Sequence, residues 1–202
     1  TVATGRADPT FFPFDRSVSI NAPVIVSNGA AVYDFQADRR VVQACLPQSA
    51  AEDFKAVCAA FPEVGFAAYH GENIYGYRPN AVTEAHMQKV GGHYERCAIE
   101  EIPLPWSKAI VQHQQDTLEH VKDRLLERAG EQYEAVSSNA WFLEITEKGS
   151  TKGAMALRLA EMLGIARAHI YCVGDNQNDI PMLEISAIPF APENCAQAVK
   201  DW

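Results

Sequence analysis

The chain lacks any apolar run long enough to span a bilayer, and no signal-peptide pattern is seen, so its hydropathy gives no reason to expect a membrane. It is also short of positive charge. Seventeen Lys and Arg stand against 26 Asp and Glu, a net charge of −9, which argues against nucleic acid and anionic membranes as partners. An anionic small molecule stays compatible with that balance, because a bound metal and one lysine reverse the sign locally. The five cysteines (Cys45, Cys58, Cys97, Cys172, Cys195) are odd in number, scattered and free of C-x-x-C spacing. That is the pattern of a reduced, cytoplasmic chain, not of a disulfide scaffold or a zinc site. No G-x-G-x-x-G follows a strand-like run, so a dinucleotide-binding domain is not expected. What remains is ordinary for a globular protein: 202 residues, 48% hydrophobic and 21% charged, enough to bury a core in one domain or two.

The most informative stretch is Cys172-Val173-Gly174-Asp175-Asn176-Gln177-Asn178-Asp179-Ile180-Pro181-Met182-Leu183. Residues 170–173 read as a buried strand, Gly174 as a turn, and Pro181 as the first turn of a helix. This order puts Asp175 and Asp179 at the carboxyl end of a strand, where open α/β sheets bind ligands. Two acids so close suit a hard divalent cation bound through oxygen. A solvated loop whose acids cap a helix explains the same spacing equally well.

Gly174-Asp175-x-x-Asn178-Asp179-x-x-Met182 resembles the fourth motif of the haloacid-dehalogenase (HAD) superfamily of phosphatases, in the form of its Cof-type branch. Upstream, Lys148-Gly149-Ser150-Thr151-Lys152-Gly153-Ala154 resembles the third motif, in which a lysine opens a helix. Lys152 is preferred to Lys148 because it directly precedes the Gly-x-Ala-like helix start. A cation there makes sense if the helix end and the ammonium share an anion. At the start of the chain, Ala3-Thr4-Gly5-Arg6 resembles the second motif, whose Thr or Ser ends a strand. The first motif, D-x-D-G-T, is expected roughly 30–40 residues ahead of Thr4, the length of a strand–helix unit. No D-x-D occurs in the sequence, so the chain is expected to be part of a longer one, with the nucleophile and central strand upstream and the last helix cut short.

Between these motifs, residues 23–34 read as a hairpin around Asn28-Gly29. Asn28 is a candidate for substrate contact, although a purely structural turn serves as well. Residues 36–138 interleave helices and strands. A strand is expected at 41–46, and a Ser49-x-x-Glu52 capping box opens a helix whose apolar stripe is Phe54, Val57, Cys58 and Phe61. Paired strands are expected at 65–69 and 73–77, and helices at 83–90 and 117–129, the latter with the stripe Leu118, Val121 and Leu125. Further strands are expected at 98–102, 109–111, 136–138 and 141–146. Tyr69, His70, Tyr75, Tyr77 and Arg78 could line a polar pocket, with plain surface the favoured alternative. The resemblance implies an α/β fold: a Rossmann-like parallel-sheet HAD core (residues 1–35 and 139–202) with an inserted α+β cap domain (residues 36–138).

It further implies Mg²⁺-dependent hydrolysis of a small phosphate ester through an aspartyl-phosphate. Asp175 would be a metal ligand, and Asp179 a ligand or the holder of a metal-bound water. Lys152 would neutralise the phosphate. Thr4, the Gly5 N–H and Asn178 would donate to phosphoryl oxygens, and Arg6 would meet substrate or cap. A cytoplasmic monomer or weak homodimer is expected. A sugar phosphotransferase of the same architecture and a non-catalytic phosphate-binding protein stay open as alternatives.

Overall fold

The computed structural model describes residues 1–8, 10–11 and 19–202. The chain forms two compact units, Thr1–Gln43 with Gly149–Trp202, and Ala44–Lys148.

In the first unit, β1 (Val24–Val26), β2 (Ala31–Asp34) and β3 (Arg39–Gln43) form an antiparallel sheet in that order. Its register pairs Val24 with Tyr33 and Val26 with Ala31. Three consecutive β-branched residues give β1 two packed faces. Val24 and Val26 pack with Phe11 and Tyr33, while Ile25 joins Val32, Val42, Met155 and Leu159 on the other side. Ala3 lies parallel to Ile25, so the residues leading to Thr4 run as a strand beside β1.

The second unit begins with helix α1 (Ala50–Ala60), then β4 (Gly65–His70), β5 (Asn73–Tyr77), helix α2 (Ala81–Val90), β6 (Glu95–Arg96) and β7 (Lys108–Gln112). Helix α3 (Gln115–Ala129) and the hairpin β8 (Tyr133–Asn139)–β9 (Phe142–Glu147) complete it. Its six strands are ordered β6-β5-β4-β7-β9-β8. All neighbours are antiparallel except β5 and β6. Of the expected stripes, Phe54, Val57 and Cys58 on α1 and Leu118, Val121 and Leu125 on α3 bury against Phe66, Val111, Leu143 and Ile145, while Phe61 caps the end of α1 and is half-buried.

Two local expectations fail for identifiable reasons. Ser49 precedes α1, yet its hydroxyl donates to Asp53 at 3.0 Å and forms no capping box. Residues 98–102 are not a strand but a 3-10 turn over Ile99–Glu101. There the Glu101 carboxylate accepts from the Ala98 N–H, and Ile99 and Ile102 are both buried, a spacing of three where a strand needs two. The division of the chain follows the ladders: β3 pairs with β2, and the β8–β9 hairpin pairs with β7, so the units part after residues 43 and 148.

The chain then returns to the first unit with helix α4 (Lys152–Met162), β10 (Tyr171–Val173), helix α5 (Ile180–Ile185), β11 (Ile188–Phe190) and helix α6 (Gln197–Asp201). β10 and β11 are parallel, with Tyr171 opposite Ile188 and Val173 opposite Phe190. The expectation of a fully buried strand at 170–173 holds on one face only. Cys172 packs with Met182, Leu183 and Cys195, whereas Tyr171 and Val173 are exposed.

Asp53 ties the second unit together. Its buried carboxylate accepts from Arg128 Nε at 2.6 Å, the Tyr133 hydroxyl at 2.8 Å and the Ser49 hydroxyl, joining α1, α3 and β8. Tyr133→Phe is expected to lower stability by about 2 kcal/mol, read from urea unfolding, because a bond to a buried charge is lost. Burial and the neighbouring carboxylate hold the Tyr133 proton well above its ordinary range. The folded state therefore keeps a proton that the unfolded chain releases near pH 10. Its contribution is full below that pH and declines as pH rises above it. The wild type should lose stability in that alkaline range more steeply than Tyr133→Phe.

Candidate active site

Four backbone segments of the first unit meet at one place. The strand-like start carries Thr4, the β1–β2 turn carries Asn28, and the loop after β10 carries Asp175, Asn178 and Asp179, beside the first turn of α4 with Lys152. The Thr4 N–H donates to Ile25 O at 2.8 Å, and Thr4 O accepts from the Asn28 N–H at 3.0 Å. The Ser27 N–H bonds Arg6 O at 2.8 Å. Thr4 Oγ1 accepts from the Arg6 N–H, which keeps the hydroxyl proton available for another acceptor. The turn is left-handed at three successive residues, Ser27 (φ 53), Asn28 (φ 56) and Gly29 (φ 102). Gly29 also lies so close to the Thr151 carbonyl and Lys152 N that no side chain fits there.

Lys152 opens α4 as expected. Thr151 is the N-cap, its Oγ1 accepting from the Ala154 N–H at 3.1 Å. Gly153 lets the Pro181 carbonyl of α5 approach within a distance no Cβ would allow, which sets α4 against the acid loop. Lys152 Nζ donates to Asp179 Oδ1 at 2.5 Å, and both side chains are buried. Asp179 Oδ2 accepts from the N–H groups of Asp175 at 3.0 Å and Asn176 at 3.1 Å. One carboxylate thus joins the lysine to the loop backbone. Asn178 Nδ2 donates to Asn28 Oδ1 at 2.9 Å, linking the loop to the β1–β2 turn. Asp175 is different. Its carbonyl accepts from the Ala196 N–H, but its carboxylate is exposed and engages no protein donor among the described residues.

Of the residues singled out from sequence, Thr4, Gly5, Arg6, Asn28, Lys152, Asp175, Asn178 and Asp179 all belong to these segments. Lys148 lies in the second unit, where it pairs with Glu134 at 3.3 Å. The aromatic group of that unit does not gather into a pocket. Tyr69 is buried with Lys108 Nζ 4.7 Å from its ring centre, while Tyr75 and Tyr77 pack with the core under α1 and α3. Strand parity separates them, since Tyr75 and Tyr77 pair with Ala68 and Phe66, the neighbours of opposite parity to Tyr69. The Asn28–Asn178 link and the Gly29–Thr151 contact were not foreseen. The Asn28-Gly29 pair was their only trace, and it reads first as a turn.

The donor set suits a hard cation in kind. Asp175 offers a free carboxylate at a strand end, and Mg²⁺ keeps several waters and takes one or two protein carboxylates. No cluster of three or more His, Cys, Asp or Glu side chains occurs among the described residues.

A parallel strand pair thus carries an exposed carboxylate and, beside it, a buried lysine–aspartate pair at its carboxyl end. The chain belongs to the haloacid dehalogenase-like hydrolase family, whose profile matches residues 1–202. It is similar to YxeH of Bacillus subtilis, at 30% identity over 131 residues, 61% of this chain and 48% of that protein. The match to that relative thus spans about half its length. It is also similar to the 5-amino-6-(5-phospho-D-ribitylamino)uracil phosphatase YwtE of Bacillus subtilis, at 24% identity over the whole chain and 78% of that protein. Among solved structures, the HAD subclass IIB sugar phosphatase BT4131 superposes with a TM-score of 0.85 at 20% identity, covering 98% of this chain and 75% of that one. The Cof-type resemblance and the α/β architecture read from the motifs are borne out.

Breaking the buried pair tests the arrangement. Lys152→Met leaves the Asp179 carboxylate buried without its cation and should cost about 3 kcal/mol in urea unfolding. Adding Asp179→Asn should recover part of that loss. A single variant as stable as the wild type would contradict the pairing.

Proposed function

We propose that this protein is a Mg²⁺-dependent phosphatase of small phosphorylated metabolites, working through an aspartyl-phosphate. The observation that carries this reading is the convergence of Thr4, Lys152 and an open Asp175 carboxylate at one strand end. The family supports it, as do relatives named as phosphatases of a phosphoribityl compound and of sugars. Monoester hydrolysis is among the slowest uncatalysed reactions, so the site must lower the barrier by a very large amount. Covalent catalysis divides that barrier in two. The nucleophile that the family resemblance calls for is an aspartate of a D-x-D-G-T segment ahead of Thr4, outside this sequence.

In this reading Lys152 offsets phosphoryl charge and, being fixed by Asp179, needs no reorganisation during the reaction. The Thr4 hydroxyl and the Gly5 N–H donate to phosphoryl oxygens, with Arg6 at the edge of the site. Asp175 would hold the magnesium ion. Asp179 orders the loop and the lysine, and what it has to offer a metal-bound water is the lone pairs that its three protein donors leave. When bound, the ion neutralises charge on the transferring group. The unit of residues 44–148 is assigned the part of the family's cap, on which leaving-group choice depends. A cytoplasmic setting and a monomer or weak homodimer complete the proposal, in keeping with five free cysteines.

The test is release of phosphate from p-nitrophenyl phosphate by the full-length protein with and without Mg²⁺. Turnover should need the metal and fall about a hundredfold or more in Asp175→Ala, the scale of losing one electrostatic group at the reacting centre. Turnover indifferent to chelator and to that substitution would sink the assignment. Transfer of the phosphoryl group to a sugar instead of water would show a phosphotransferase.

A further inference from the structure

Both backbone polar groups of Asp175 are committed within the protein, and its exposed carboxylate is left over. The N–H donates to Asp179 Oδ2 at 3.0 Å, and the carbonyl accepts from the Ala196 N–H at 2.8 Å. One residue earlier, the Gly174 N–H donates to Phe190 O at 3.1 Å. Phe190 ends β11 and Ala196 is the N-cap of α6, so the stretch between them brackets the Gly174–Asp175 peptide on both sides. A turn closed by the Cys195 N–H on Pro192 O carries the chain from one bond to the other. Helix α6 has five residues, too few to hold itself in place. What seats it is burial of Cys195 and Val199 against Cys172, Met182 and Leu183, the apolar cluster shared by β10 and α5.

Mg²⁺ demands near-ideal octahedral geometry, so a carboxylate that holds it must be presented from a fixed backbone. The partners that fix a ligand's backbone therefore bear on affinity without touching the ion. Neither Ala196 nor Val199 carries a side chain able to ligate a hard cation. We infer that both are positioning residues for the metal: the seating of α6 sets Asp175 through the Ala196 N–H. By reciprocity, an ion that prefers the seated form must in turn hold α6 down. This rests on the reading of Asp175 as the magnesium ligand and extends it to a segment with no ligand of its own.

The experiment measures Mg²⁺ binding by calorimetry on the full-length protein, together with urea midpoints and amide hydrogen exchange. Ala196 has φ −59, which the proline ring accepts, so Ala196→Pro deletes the N–H donor with little strain. It should bind Mg²⁺ about tenfold more weakly or worse, the scale of losing a ligand's outer partner. Ala196→Ser keeps the N–H and adds a hydroxyl able to cap α6, and should bind as the wild type does. A lowered urea midpoint in Ala196→Pro with unchanged affinity would show a merely structural role and overturn the inference. Should that variant fail to fold, Val199→Ala decides, because it loosens α6 and leaves every bond donor in place. Weaker Mg²⁺ binding there supports the positioning role, and wild-type affinity refutes it. In the wild type, Mg²⁺ should slow exchange across residues 195–200 but not across α3. Equal exchange at 195–200 with and without the ion would break the coupling and leave the phosphatase reading standing. A wild type that binds no Mg²⁺ would refute both.

Discussion

The buried pair between Lys152 and Asp179 is the interaction on which the arrangement of this site depends. Neither charge is tolerable alone at that depth, and together they bring the first turn of α4 to the loop after β10. Asp179 is more than a counter-ion. Its second oxygen gathers the N–H groups of Asp175 and Asn176, so the same carboxylate that fixes the lysine also shapes the loop. The exposed Asp175 carboxylate is then left where a ligand can reach it. Two acids four residues apart have been given different environments, one buried among protein donors and one exposed.

Packing supports this electrostatic arrangement at two points of unusually close backbone approach. The β1–β2 turn touches the start of α4 at Gly29, and α4 touches α5 at Gly153. These contacts bring the backbone of the β1–β2 turn, α4 and α5 together around short polar side chains. The result is a site whose polar groups come from stretches far apart in sequence, yet whose hydrogen bonds run in a connected chain from Thr4 through Asn28 to Asn178.

Much of this was legible in the sequence, because the relevant signals are local. A β-branched run followed by glycine and acids reads as strand and loop, and Thr151-Lys152-Gly153 reads as a helix start. Amphipathic stripes on α1 and α3 likewise foretold their buried faces. What could not be read is of another kind. The Ser49 hydroxyl goes to Asp53 instead of the backbone because Asp53 collects donors from three elements, two of them more than seventy residues away. Residues 98–102 carry two strand-forming isoleucines, but Glu101 closes a turn on Ala98. The aromatic residues near Tyr69 looked like one cluster until strand parity divided them. In each case, long-range partners or a local carboxylate outweighed propensity.

The first unit is built from two separated lengths of chain, with the second unit between them. During synthesis, residues 1–43 leave the ribosome long before 149–202 exist, whereas residues 44–148 emerge as one continuous stretch with all their sheet partners. β1 and β2 can form their hairpin early, but Ile25, Val32 and Val42 have no Met155 or Leu159 to pack against until α4 arrives. The inserted unit is therefore free to fold first, and its folding shortens the loop that must close before the outer segments meet. Its autonomy thus has a kinetic consequence apart from any chemistry: the entropy of joining Thr4 to Lys152 falls once the 105 residues between the segments have become a compact body.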